Sequence, residues 1–220
     1  MGRIYDATWG RAFSAYYDRG FKAIEKAGLS EMRRALLARA RGRVLELGAG
    51  TGLNLAHYQG GIQSLTLVEP DPHMAKQLRP KLAKFDYEAE VVEAPAEKLP
   101  FADDSFDTAV VTLVLCTVPD PEASLVEIAR VLKPGGELLF LEHVRSADAS
   151  ASRWQDRWER PWRFLGDGCH CNRDTAAAIA ASPLELGPVE HGTLPKAPPI
   201  VRPLIHGRAT RPDRSPAPPG

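Results

Sequence analysis

The chain has 220 residues, with 28 basic and 28 acidic side chains and a formal net charge of zero. That length suits one domain with a real core, and the charge balance excludes a protein that coats nucleic acid, which needs a basic footprint. No apolar run reaches the ~18 residues of a membrane span, and the three cysteines, Cys116, Cys169 and Cys171, make no disulfide framework, so a cytoplasmic address is expected.

Residues 1–42 read as an N-terminal helical cap of the same domain. Phe13, Tyr17, Phe21 and Ile24 share one face at helical spacing, and a second helix is expected over about Ser30–Ala40, ended by Gly42. The stretch Val44-Leu-Glu-Leu-Gly-Ala-Gly-Thr-Gly-Leu-Asn54 reads as a buried strand turning hard into a helix, whose free N–H groups would face a ligand. A dinucleotide fingerprint places glycine at its first, third and sixth positions. Gly48 and Gly50 fill the first two, but the sixth is Leu53, which points away from a nicotinamide dinucleotide and towards another nucleoside-containing cofactor.

Strand-like runs follow at Ser64–Glu69, Glu88–Val92, Asp107–Leu115 and Glu137–Val144. The last two are almost continuously apolar, as strands covered on both faces should be. Helices are expected at about Met74–Phe85, with a kink or break at Pro80, and at Pro121–Leu132, capped by Asp120. Lys133-Pro-Gly-Gly136 reads as a stop and turn. This alternation predicts a parallel sheet with helices on both faces. Further helices are expected over residues 150–164 and Thr175–Ala181, the latter capped by Asp174. Two final strands are expected at Leu186–Leu194 and Ile200–Arg208, with Pro203 marking an edge or a bulge. Residues 209–220 have the composition of a disordered tail.

Glu69 closes the second predicted strand, where ligands of open α/β sheets bind, and a carboxylate there can accept both hydroxyl protons of a ribose. Taken with Val44–Gly52, Leu65–Met74, Ala96-Glu-Lys-Leu-Pro-Phe101, Ser105-Phe-Asp107, Leu113–Val118 and Arg130-Val-Leu-Lys-Pro-Gly-Gly136, the sequence resembles the class I S-adenosylmethionine-dependent methyltransferases, in the small-molecule group that includes the ubiquinone-type enzymes. The resemblance implies a Rossmann-like α/β fold over residues 43–208, with a seven-stranded, mostly parallel sheet and the last strand antiparallel. It implies S-adenosylmethionine as cofactor. Gly48, Ala49 and Gly50 would approach its methionine and ribose portions. Glu46 would order the turn and the amino group, directly or through water. Glu69 would take the ribose diol, Pro70 would pack beside the adenine, Ala96 and Glu97 would line its edge, and Thr112 and Leu113 would close the floor. Asn54 and Tyr17 are candidates for the methionine carboxylate end. Pro95 stands where many relatives carry a polar side chain, which removes an acceptor for the adenine amino group.

Leu141-Glu-His-Val-Arg-Ser146, Gly166–Thr175 and Ala197-Pro-Pro-Ile-Val-Arg-Pro203 are similar to a subgroup containing phosphatidylethanolamine methyltransferase-like proteins and membrane-associated thiol methyltransferases. The expected reaction is methyl transfer to a small apolar or amphipathic acceptor, a thiol or an amine. Such an acceptor must lose a proton, and Glu142 and His143 are candidate bases. Their side chains point to opposite sides of a strand, so at most one faces the cofactor. His170, with Asp167 and Asn172, is a candidate for shaping the acceptor pocket. Cys169-His-Cys171 lacks the paired spacing of a four-ligand zinc site, so no metal is expected. Trp154, Trp158 and Trp162 fall at i, i+4, i+8 among arginines, either packed over the site or as a peripheral membrane contact, with Pro161 breaking the helix before Trp162. A monomer or homodimer with no nucleic-acid partner is expected. The alternatives from other classes are an NAD(P)-dependent oxidoreductase and a cofactor-binding regulatory protein without turnover.

Overall fold

The structure, a computed structural model, describes residues 20–84 and 88–213. Tyr17 and Phe13 lie outside the described residues. Seven strands, β1 (Gly42–Leu47), β2 (Ile62–Val68), β3 (Glu88–Val92), β4 (Phe106–Thr112), β5 (Leu132–His143), β6 (Glu185–Thr193) and β7 (Pro203–Thr210), form one sheet in the order β3-β2-β1-β4-β5-β7-β6. Strand β7 runs antiparallel to both β5 and β6, and the other pairings are parallel.

Side chains alternate across the sheet, so each strand feeds two cores. Leu45, Leu47, Ala109, Val111, Leu138 and Phe140 face one side, covered by residues of the helices α3 (Pro121–Val131) and α5 (Thr175–Ala180). Val44, Val110, Leu139 and Leu141 face the other, with Leu36 and Leu37 of α1 (Ser30–Leu37) and Leu78 of α2 (Pro72–Leu82). The helix α4 (Ala149–Leu165) lies beyond the end of β5. Asp120 and Asp174 cap α3 and α5 as expected, and Asp71 caps α2.

Two motif segments make side-chain ties beside β4 and β5. Arg130 donates from its guanidinium to the carbonyls of Leu99 and Phe101 and to Asp103, latching the Leu-Pro-Phe loop to α3. Lys133 Nζ donates to Asp107 Oδ1 at 2.7 Å.

Several local expectations are corrected. No α-helix follows the glycine turn. The chain makes a single three-residue 3-10 turn, Leu55–His57, before β2. Neither Pro80 nor Pro161 ends its helix. Both sit on the exposed face, where water can take the carbonyl that loses its N–H partner. Lys133–Gly136 is not a separate turn but the start of β5, where the register with β4 shifts. Pro199–Val201 forms a 3-10 turn, so β7 begins at Pro203 and is an interior strand, with β6 at the edge. Strand β7 also runs to Thr210, two residues past the expected domain end, and Arg211 still pairs with Gly135 and Gly136.

Candidate active site

The carboxyl ends of β1, β2, β4 and β5 border a cavity of about 560 Å³, at the point where the strand order reverses. Its place and its size are those of small-molecule sites in open α/β sheets. The glycine turn forms part of one wall. Gly48 and Gly50 have φ of +59° and +56°, and a Cβ on Gly48 would stand 2.6 Å from Val114 Cγ2. Here the bare main chain borders the cavity. Gly52 serves packing as well, since its Cβ would meet Leu78 of α2 at 2.6 Å.

Glu69 stands beside the turn at 5% exposure, on the cavity wall. Its Oε2 accepts the Gly50 N–H at 2.7 Å and its Oε1 the Asp71 N–H at 2.9 Å. A carboxylate oxygen has a second lone pair, so each can still accept from a ligand hydroxyl. Burial pushes the carboxyl up to about 7, against the two N–H groups that hold it down. Pro70, Ala96 and Glu97 border the same end of the cavity, and Glu97 also accepts the Asp120 N–H.

Glu46, Asn54 and Thr112 are buried but lie outside the cavity lining, as does Ala49. They form a polar floor beneath the turn. Asn54 Nδ2 donates to Glu46 Oε1 at 3.0 Å and to Thr112 Oγ1 at 2.9 Å, and Tyr58 OH donates to Glu46 Oε2 at 2.6 Å. Arg33, 2% exposed, completes the floor from α1. It reaches Asn54 Oδ1 at 2.8 Å, Thr112 Oγ1 at 2.9 Å and Glu25 Oε1 at 3.0 Å. Burial raises the Glu46 carboxyl to about 7, and Tyr58, Asn54 and Arg33 oppose it. Sequence reasoning missed Arg33. The available signal was a cation inside the apolar stripe Leu29, Arg33, Leu36, Leu37.

Beyond β4 the chain turns through Leu113, which borders the cavity with φ +61°, an outlier for a branched side chain. Three successive N–H groups anchor this turn. Leu113 donates to the Leu141 carbonyl at 2.8 Å, and Val114 and Leu115 donate to Glu142 Oε1 at 2.8 and 3.2 Å. Glu142 therefore points away from the cavity and holds the loop. Burial raises its carboxyl to about 7. His143, on the opposite side of β5, does border the cavity.

At that end His143 Nε2 lies 3.0 Å from Cys169 Sγ, and Cys116 completes a cluster whose ligand atoms all lie within 4.8 Å of one another. A hydrogen bond with Cys169, and then burial, hold the Cys116 thiol well above its ordinary range. Trp162 Nε1 donates to Cys169 Sγ at 3.1 Å. The loop Gly166–Arg173 docks this wall onto the segment after β4. His170 N donates to the Cys116 carbonyl, and Arg173 donates to the carbonyls of Leu115 and Val118. Asp167 lines the cavity, but the side chains of His170 and Asn172 do not, being paired with Glu159 and Asp156. Cys171 turns away and donates to the Gln155 carbonyl. On α4, Trp162 and Leu165 border the cavity, while Trp154 and Trp158 are exposed. Among the described residues no helix is long and apolar enough to cross a membrane.

Residues 45–140 match the methyltransferase domain model. The thiol S-methyltransferase TMT1B of Rattus norvegicus is 40% identical over 176 residues, covering 76% of this chain and 70% of the relative. A phosphatidylethanolamine N-methyltransferase of Cereibacter sphaeroides is 35% identical over 45% of this chain and 49% of its own. Among solved structures, an S-adenosylmethionine-dependent methyltransferase of Thermotoga maritima superimposes with a TM-score of 0.68 at 25% identity, covering 96% of this chain and 100% of that one.

Proposed function

Because the chain belongs to the S-adenosylmethionine-dependent methyltransferases, we propose that its acceptor is a small apolar or amphipathic thiol, methylated on sulfur. The observation that carries this reading is the wall formed by His143, Cys116 and Cys169, a soft and imidazole-bearing surface at the end of the cavity away from Glu69. The name of the Rattus relative supports the same acceptor class.

The cavity fits the cofactor on two counts. The glycine turn brings the main chain of Gly48 and Gly50 to the cavity wall, where a Cβ on Gly50 would meet nothing nearer than Met74 Sδ at 3.7 Å, and Glu69 keeps acceptor capacity on both oxygens. In this reading Glu69 takes the ribose hydroxyls. Gly48, Gly50 and Leu113 border the methionine portion, and Pro70, Ala96 and Glu97 border the adenine. Glu46, Asn54 and Thr112 act one layer below, by fixing the turn and the end of β4. The bound cofactor supplies an electrophilic methyl group on a sulfonium. The protein's part is to hold the acceptor in line with that methyl, keep water out, and stabilise a thiolate. Alignment of this kind is worth up to ~7–11 kcal/mol in favourable systems. Trp162 and Leu165 continue the exposed Trp154–Trp158 stripe into the cavity, which suits an acceptor delivered along an apolar surface, including that of a membrane.

The test is turnover with S-adenosylmethionine across aliphatic thiols, primary amines including a phosphatidylethanolamine headgroup, and phenols, with products read by mass spectrometry. S-methyl thioethers are expected. Methylation confined to amines or phenols overturns the thiol assignment.

A further inference from the structure

We propose that Cys116, His143 and Cys169 form a binding site for one zinc ion, with its fourth coordination position open to the cavity. The three residues come from the loop after β4, the end of β5 and the loop after α4, so only the tertiary fold joins them. They are 2%, 4% and 8% exposed, yet all three border the cavity. Their ligand atoms lie within 4.8 Å of one another. A tetrahedral zinc with bonds of about 2.3 Å to sulfur and 2.0–2.1 Å to nitrogen needs neighbouring ligand atoms roughly 3.5–3.8 Å apart. The pair His143 Nε2 and Cys169 Sγ, now at hydrogen-bond distance, opens by roughly half an ångström to admit the ion.

The ligand chemistry narrows the choice of ion. Two thiols and an imidazole, with no carboxylate in the set, disfavour magnesium and calcium and suit zinc. Three protein ligands with an open fourth position is the arrangement of catalytic rather than structural zinc sites. Charge also closes. Two thiolates and Zn²⁺ sum to zero, which a buried wall tolerates far better than isolated thiolates. Trp162 supplies an outer partner, since its indole N–H can only donate and is aimed at the Cys169 sulfur. Cys171, the other cysteine of the Cys-His-Cys run, is excluded by its direction towards the Gln155 carbonyl.

The open position gives the site its role. It takes an acceptor thiol, whose S–H proton passes to solvent water, leaving a thiolate held at the cavity wall. That sulfur then forms a bond to the methyl carbon as the carbon–sulfonium bond breaks, and the bonding pair stays on the departing sulfur. This role rests on the thiol reading above, whereas the metal site does not.

The full chain, expressed with zinc in the medium, is assayed for bound metal by plasma mass spectrometry, then stripped and titrated with Co²⁺. One zinc per chain is expected, with a cobalt–thiolate charge-transfer band in the near ultraviolet. Cys116→Ser and Cys169→Ser should each weaken Co²⁺ binding by roughly 100-fold or more, beyond the ~10–100-fold typical of an outer-partner loss, which is the range expected for Trp162→Phe. Cys171→Ser should keep the band. Binding of S-adenosylhomocysteine by calorimetry reports folding and the cofactor end in every variant. Wild-type protein that binds S-adenosylhomocysteine but neither retains zinc nor gives the cobalt band overturns the site, as does a band unaffected by Cys116→Ser or Cys169→Ser. Zinc bound with only amine products formed would overturn the thiol reading and leave the metal site standing.

Discussion

The two ends of the cavity hold their polar groups by different means. At one end Glu69 is fixed by main-chain N–H groups of Gly50 and Asp71, and Gly48 and Gly50 present bare backbone. Beneath them lies a fully bonded polar floor, from Arg33 through Asn54 and Thr112 to Glu46. At the other end Cys116, His143 and Cys169 contact one another and Trp162, and His143 Nδ1 is buried with no partner. The Glu69 end is thus held by main-chain N–H groups and a left-handed glycine turn. At the cysteine end the side chains meet one another, while main-chain bonds such as His170 N–H to the Cys116 carbonyl hold the loops that carry them.

The largest effect should come from the floor. Arg33→Met leaves Glu25 without its buried partner and removes the guanidinium that opposes the burial of Glu46. Breaking a buried pair on one side costs about 3–5 kcal/mol, so urea unfolding should show a loss of that order. A loss under ~1 kcal/mol, the scale of an exposed pair, would mean the floor does not support the turn. Next, Glu69→Ala should weaken S-adenosylhomocysteine binding by roughly 100-fold, since hydrogen bonds to a charged group are each worth about 1.5–3 kcal/mol. Unchanged affinity would sink the ribose assignment.

The pH dependence of Glu69 sharpens the contrast further. Its carboxyl, ordinarily near 4.5, is pushed up to about 7 by burial. Ribose hydroxyls are donors and prefer the ionised form, so affinity should rise with pH by up to about tenfold per unit below pH 7 and level off above it. Glu69→Gln should flatten that rise, and a wild-type profile equally flat would exclude titration of Glu69. Stability runs the other way. With the folded value above the unfolded one, the native state binds the extra proton between pH 4.5 and 7, so the contributions of Glu69 and Glu46 are lost as pH rises through that window.

The same difference explains what could be read from the chain. The glycine turn and Glu69 lie on consecutive strands that pair in register, so spacing alone puts them side by side. The opposed directions of Glu142 and His143 followed from strand periodicity, and the structure keeps only His143 on the cavity. In Cys169-His-Cys171 the three side chains diverge because the segment is a loop, where neighbours need not share a side. Cys169 faces His143, His170 faces Glu159 and Cys171 faces Gln155. Its partner Cys116 stands 53 residues earlier, beyond any local pattern. The break expected at Pro161 was misread for a related reason. Whether a proline ends a helix depends on what surrounds the carbonyl it leaves without a partner, and sequence does not show that.

His170 gives the smallest effect and the finest discrimination. Its Nδ1 lies 2.8 Å from Glu159 Oε1 on a partly exposed loop, and burial, with Arg173 nearby, lowers its pKa. Its main chain, which donates to the Cys116 carbonyl, is untouched by His170→Ala. A partly exposed pair of this kind is worth about 0–1 kcal/mol, so kcat/KM should fall by no more than about fivefold. His143→Ala, at the end of β5 and on the cavity wall, should fall far below that. Equal losses from the two variants would mean that His170 reaches the acceptor after all, and that the loop Gly166–Arg173 takes another conformation when the site is filled.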